Sequence, residues 1–191
     1  MEENGRGSRS NRGRAVFLYY LSTMITCRRA TKNDVALFRE VRLKALKESP
    51  EAFGSTYEAS LQRDVRSWEE QLWATTSGGD RNTQFAFDDE ECIGIAALYR
   101  EGAAPSGEVL MMWVDPSYRG SSAATMLVEE LLRWAKGSEF AEVNPVVSES
   151  NARAIRFYEK LGFQDTGEKV EVDANRDLIG IRMAQEIGKP Q

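Results

Sequence analysis

The stretch Arg119-Gly-Ser-Ser-Ala-Ala124 joins a strand-like run, Glu108 to Val114, to a helical pattern, and its side chains are small where the loop enters the helix. Main-chain N–H groups at a helix start are unpaired and carry the positive end of the dipole, so a phosphate fits there when no side chain blocks it. Arg119 adds a forked cationic donor for the same ligand. Small residues at a helix entrance serve equally well as plain caps, so the loop alone leaves both readings open. The Gly-Lys-Ser/Thr element of a P-loop NTPase is missing. The chain also has no histidine, which removes Ser-His-Asp and Cys-His catalysis, His-ligated zinc and any imidazole base. Chemistry must then come from carboxylates, tyrosine, lysine, serine, main chain or a cofactor. Cys27 and Cys92 are too distant from each other for a metal motif and too few for a disulfide framework. No metal site is expected, and the two thiols point to a reducing compartment.

The elements that position these residues follow from periodicity. A length of 191 residues suits one domain. Residues 1–14 are mostly Gly, Ser, Asn and Arg, too polar to order themselves, and residues 1–23 are expected to form a disordered or poorly ordered extension. The apolar run from Ala15 to Ile25 follows four arginines and looks superficially like a signal-peptide core. It is too short to span a bilayer, and no small-x-small cleavage site follows. The domain is therefore expected over 24–188, in the cytoplasm. A strand is expected at Ile25–Arg29, then a helix from about Asn33 to Lys47 opened by a capping box at Thr31–Asp34 and closed by Ser49-Pro50. Leu61, Val65, Trp68 and Leu72 predict one further amphipathic helix ending at Ser77-Gly78-Gly79. Phe85–Phe87 and Cys92–Tyr99 read as a hairpin. A strand at 108–114, a helix at 123–136, a strand at 141–147, a helix at 151–161 and two strands near 163–172 and 178–185 complete the order. This is a mixed α/β sheet with helices on both faces. The net charge of −5 gives nucleic acid no global support as a partner.

Asn151-Ala-Arg-Ala-Ile-Arg-Phe-Tyr158-Glu-Lys-Leu-Gly-Phe163 follows a strand, and together with Val114-Asp-Pro-Ser-Tyr-Arg-Gly120 it resembles the GNAT superfamily of acyl-CoA-dependent N-acetyltransferases. The resemblance covers roughly Met24 to Glu186 and is most specific over 108–163. It implies a mostly antiparallel central sheet splayed between the fourth and fifth strands, 108–114 and 141–147. Pro145 suits that opening, because proline cannot donate to a strand ladder. The family pattern R-x-x-G-x-G/A, which binds the CoA pyrophosphate, falls on Arg119, Ser122 and Ala124, with Gly120, Ser121 and Ala123 completing the loop. Ser122 replaces the usual glycine and adds a side chain beside the phosphate.

The resemblance further implies that Met112, Trp113 and Val114 run along the pantetheine arm, with main-chain groups of Met112 and Val114 pairing with it. Asn151 would contact the cofactor from its helix start, where it also suits an N-cap. Tyr158 falls where the family keeps the acid that protonates the departing thiolate; a phenol near ~10 can donate to a thiolate near ~8.5 in contact. With no histidine, the base is a carboxylate, and Glu108 is the candidate, with Glu101 and Glu58 as rivals. The expected activity is acetyl transfer from acetyl-CoA to a primary amine of a small molecule, peptide or protein, and a silent acyl-CoA-binding or regulatory module is the alternative. No nucleic acid, membrane or metal partner is expected, and a homodimer is compatible with the resemblance. Arg39, Arg42 and Lys44, with Ser49–Thr56, lie where such proteins often build the acceptor site; a solvated face and an ordinary loop is the plainer reading.

Overall fold

Strong β-formers with side chains that must be covered on both sides fix the middle of the sheet. In the computed structural model, which describes residues 24–173 and 178–188, strands β2 (Arg81–Asp88) and β3 (Glu91–Arg100) are buried along most of their length. Strand β1 (Ile25–Arg29) instead alternates between half-buried and exposed, as an edge strand should. The expected extension, 1–23, lies outside the described residues.

With β4 (Ser106–Val114), β5 (Glu142–Ser148), β6 (Gln164–Asp173) and β7 (Leu178–Glu186), the described residues form a seven-stranded sheet in the order β1-β2-β3-β4-β5-β7-β6. Every neighbouring pair is antiparallel except β4 and β5. Helices α4 (Ala123–Gly137) and α5 (Ala152–Lys160) belong to the layer on one face, where Leu127, Leu131, Ala96, Val143 and Met183 pack. Helix α1 (Val35–Glu48) covers the other, with Phe38, Val41 and Leu46 against Phe85, Ile95 and Trp113. This is the α/β fold with a sheet between helical layers that the sequence implies.

The single helix expected around Trp68 is two helices. Tyr57–Leu61 forms α2 and Val65–Trp73 forms α3. Asp64 accepts the Ser67 N–H at 2.7 Å and so opens a new helix where a continuous one was expected. Trp68 and Leu72 enter the core, whereas Leu61 and Val65 are 41% and 66% exposed and do not. The helix expected from Asn33 begins as a 3-10 turn over Lys32–Asp34, with Arg28 gripping both carboxylate oxygens of Asp34 at 2.7 and 2.8 Å.

The parallel pair carries the consequence for function. Ser106 to Val109 pair with Glu142 to Pro145, and there the pairing ends. Past Pro145, Val146–Ser148 keep only the pairing with β7 that Glu142 and Val143 also make, while β4 runs on to Val114, and a wedge opens between β4 and β5. Gly107 lies in the closed end: a Cβ there would stand 2.3 Å from Phe140 Cε1, so only hydrogen fits beneath that ring. Opposite the wedge, Leu110 pairs with Ala97 and Trp113 with Ile95, leaving one extra residue in β4. Met111 takes the strain of this bulge with φ +57°.

Candidate active site

The wedge holds a cavity of about 350 Å³. Leu110 and Met112 of β4 line one wall, Val146–Ser148 of β5 the other, and Asn151, Ala154 and Tyr158 close it from α5. Beyond Val109 the β4 edge that faces β5 has no strand partner among the described residues. An extended ligand with its own amide groups can pair there, as a peptide does when it adds to a sheet edge. Of the three residues expected along such a ligand, Met112 lines the cavity. Trp113 does not: its ring is buried against α1 and its indole N–H donates to Glu48 Oε2 at 3.0 Å. The Val114 carbonyl accepts from Arg119 Nε at 3.2 Å, which leaves one of its two lone pairs for a ligand.

The loop at the head of α4 fits an anion through its main chain. Gly120 adopts φ +95° with open space where a Cβ would be. Among the described residues, the N–H groups of Gly120, Ser122, Ala124 and Thr125 have no acceptor; Ser121 N–H goes to Tyr118 O and Ala123 N–H to Ser121 Oγ. Four open donors at a helix start suit a diphosphate. The Ser122 hydroxyl turns to Met126 Sδ at 3.5 Å and does not cap the helix, so the serine in place of glycine leaves these donors open. The Ala123 side chain is in the core.

Arg119 behaves differently from the expectation. Its guanidinium pairs with Glu48 at the end of α1 and donates to Ser49 Oγ at 3.2 Å. The side chain thus ties the loop to α1, and the open phosphate donors are main-chain groups. Burial opposes the charge on Glu48, but hydrogen bonds from Ser49, Trp113 and Arg119 outweigh it and hold its carboxyl below the ordinary value. Glu48 was invisible as a site residue, because its partner lies far along the chain.

Tyr158 is 4% exposed, lines the wedge, and is clamped edge-on by Phe157 and Phe163 at 5.1 and 5.3 Å. Burial pushes its phenol well above the usual range, so it holds its proton. Asn151 caps α5, accepting from Ala154 N–H at 3.0 Å, and lines the cavity as well, so both of its expected roles are compatible. Glu108 lines the same cavity from the start of β4. Burial raises its carboxyl, against the pull of Arg182 at 3.9 Å, and nearby Glu101 adds to the rise. The rivals Glu101 and Glu58 are exposed and line neither this cavity nor the next.

A second cavity, about 320 Å³, adjoins the first through Phe53, Gly54, Leu110, Met111 and Val172. Arg42 lines it and is 6% exposed, with Nη1 unbonded and its guanidinium 4.8 Å from the Phe53 ring centre. Burial draws it down to about 10, with Arg63 adding to the fall. Of the other cations expected near an acceptor, Lys44 pairs with Asp115 at 2.6 Å and Arg39 is exposed.

No helix among the described residues is long and apolar enough to cross a membrane, and no group of three or more Cys, Asp or Glu is placed to hold a metal ion. Comparison with known proteins agrees with the geometry. The chain is 28% identical over 153 residues to the peptidyl-lysine N-acetyltransferase YjaB of Salmonella typhimurium, covering 78% of this chain and 90% of that protein. A GNAT-family acetyltransferase from Streptococcus pneumoniae superposes with TM-score 0.73 at 20% identity, over 86% of this chain and all of that one. PaiA N-acetyltransferase from Thermoplasma acidophilum, solved with coenzyme A, superposes with TM-score 0.61 at 20% identity, over 85% and 99% of the two chains. The profile of the acetyltransferase (GNAT) family matches residues 43–163, and with the wedge, the bulge and the anion loop all inside that span, the chain belongs to this family.

Proposed function

We propose that this protein transfers an acetyl group from acetyl-CoA to a primary amine by direct attack. The observation that carries the reading is the opened β4–β5 wedge, lined by both Tyr158 and Glu108, beside a chain that leaves β4 for the bare amides at the head of α4. The thioester supplies an activated acyl group. The α4 loop binds the diphosphate through main-chain N–H groups, and the free β4 edge orients the arm that follows. Glu108 takes the proton an ammonium must shed before its nitrogen can attack. The N–C bond forms and the C–S bond breaks, and Tyr158 Oη gives the departing sulfur a proton, which it regains from solvent. The acceptor named for YjaB belongs to that protein.

The test is release of free thiol from acetyl-CoA across a panel of primary amines. Thiol release that depends on the amine supports the reading; acetyl-CoA binding without any release would leave a silent binding module in its place.

The role of Glu108 has its own signature. Its carboxyl must be ionised to accept a proton, so kcat/KM falls as pH drops through its value, which burial raises above that of a free glutamate. Glu108→Gln is expected to lower kcat/KM at neutral pH by about 10²-fold and to abolish that acid limb. A pH profile with the same limb in the variant removes Glu108 from the mechanism.

A further inference from the structure

The second cavity combines features that a merely structural cavity does not need. Arg42 is more than nine-tenths buried, and among the described residues no carboxylate pairs with it. Its Nη1 has no hydrogen-bond partner, and neither does Trp68 Nε1 on the same wall. Tyr99 Oη, of another lining residue, likewise has no hydrogen-bond partner among the described residues. These are donors waiting for an acceptor. The neighbouring cation, Arg63, donates to Ser67 and Gln71 and stacks 4.1 Å from the Trp68 ring centre, so it adds positive potential but no neutralising partner. Among the described residues, none that lines this cavity carries a negative charge. The adjoining wedge is the reverse, with Glu51, Glu108 and Glu171 on its walls. The two cavities together present an acidic end and a basic end across a shared partition at Met111 and Phe53.

A guanidinium held in a low-dielectric site without a counter-charge is costly to the fold unless something else neutralises it. Its fork matches two oxygens of one anionic group. We propose that the acceptor is a small molecule bearing both the reacting amine and an oxyanion, carboxylate or phosphate, and that Arg42 holds the oxyanion in the second cavity while the amine faces Glu108. This rests on the acetyltransferase reading for the identity of the amine site, but anion capture by Arg42 can be measured without turnover.

The experiment is calorimetric titration of the full chain, without acetyl-CoA, using matched pairs: free amino acids against their amino amides, and O-phosphoethanolamine against ethanolamine. In at least one pair the anionic member is expected to bind about 10- to 100-fold more tightly, the value of a hydrogen-bonded charge, and the pair that responds says which oxyanion is used. Arg42→Met is expected to erase that margin, and Arg42→Lys, which keeps the charge without the fork, to recover part of it. If Arg42→Met fails to fold, the wild-type pairs and Arg42→Lys decide the matter. Equal binding of anionic and neutral members in both series overturns the proposal, as does a margin that survives both Arg42 variants. A margin that depends on Arg42, with no thiol release from acetyl-CoA, keeps the anion site and removes the transferase reading instead.

Discussion

Tyr158→Phe is expected to lower kcat by about 10²-fold while the dissociation constant for acetyl-CoA stays within about twofold. The change removes one oxygen and little else. Both flanking rings, Phe157 and Phe163, pack against the aromatic body, which phenylalanine retains. Among the described residues the hydroxyl makes no hydrogen bond, so its removal orphans no donor or acceptor among them and the melting temperature should hardly move. What disappears is a proton that burial keeps on oxygen at every working pH. A thiolate that must leave without it is a poor leaving group in a low-dielectric wedge, so the loss appears in kcat. Steady-state kinetics paired with calorimetry checks the split. An unaltered kcat, or a loss confined to acetyl-CoA affinity, removes Tyr158 as the acid.

Ser122→Asp is expected to move two quantities in opposite directions. A carboxylate at the N-cap can accept from the open N–H groups of the first turn of α4 and sits favourably at the positive end of the dipole. Stability should rise by about 0.5–1 kcal/mol, which at this chain length shifts the melting temperature by about 1–4 °C. The same carboxylate competes with the diphosphate for those donors and repels it. Losing one or two charge-assisted hydrogen bonds raises the dissociation constant for acetyl-CoA about 10- to 100-fold. Ser122→Gly should leave binding close to the wild type. Thermal melts and titrations run side by side test this, and a variant that is both more stable and equally tight places the phosphate elsewhere.

The element order was legible because alternation with period two and stripes at three and four residues survive in the sequence almost everywhere. The anion loop was legible for a local reason: small residues at a helix entrance are a property of six consecutive positions. Distant partners were not. Arg119 reads as a phosphate ligand until Glu48, 71 residues away, is seen to hold it. Arg42 sits in a charged run, Arg39 to Lys44, that looks like a solvated face; its burial is decided by α2, α3 and the loop before them folding over it. The break between α2 and α3 was hidden because Leu61, Val65 and Trp68 keep helical spacing across it, while the Asp64 side chain competes for the backbone at a single position.

The bare rim of β4 has a consequence for life in a crowded solution. Unpaired strand edges normally invite other chains to stack on them, and proteins blunt them with charge, proline or a covering element. Here the rim is recessed: the opposite bank, Val146–Ser148, is already bonded to β7, and α5 roofs the gap. A foreign β-strand arriving from outside would bring bulky side chains on both faces into a slot that small. A thin, unbranched amide chain meets no such obstacle. The recess that shields this edge from a pairing strand is therefore also a size filter on what can complete the sheet.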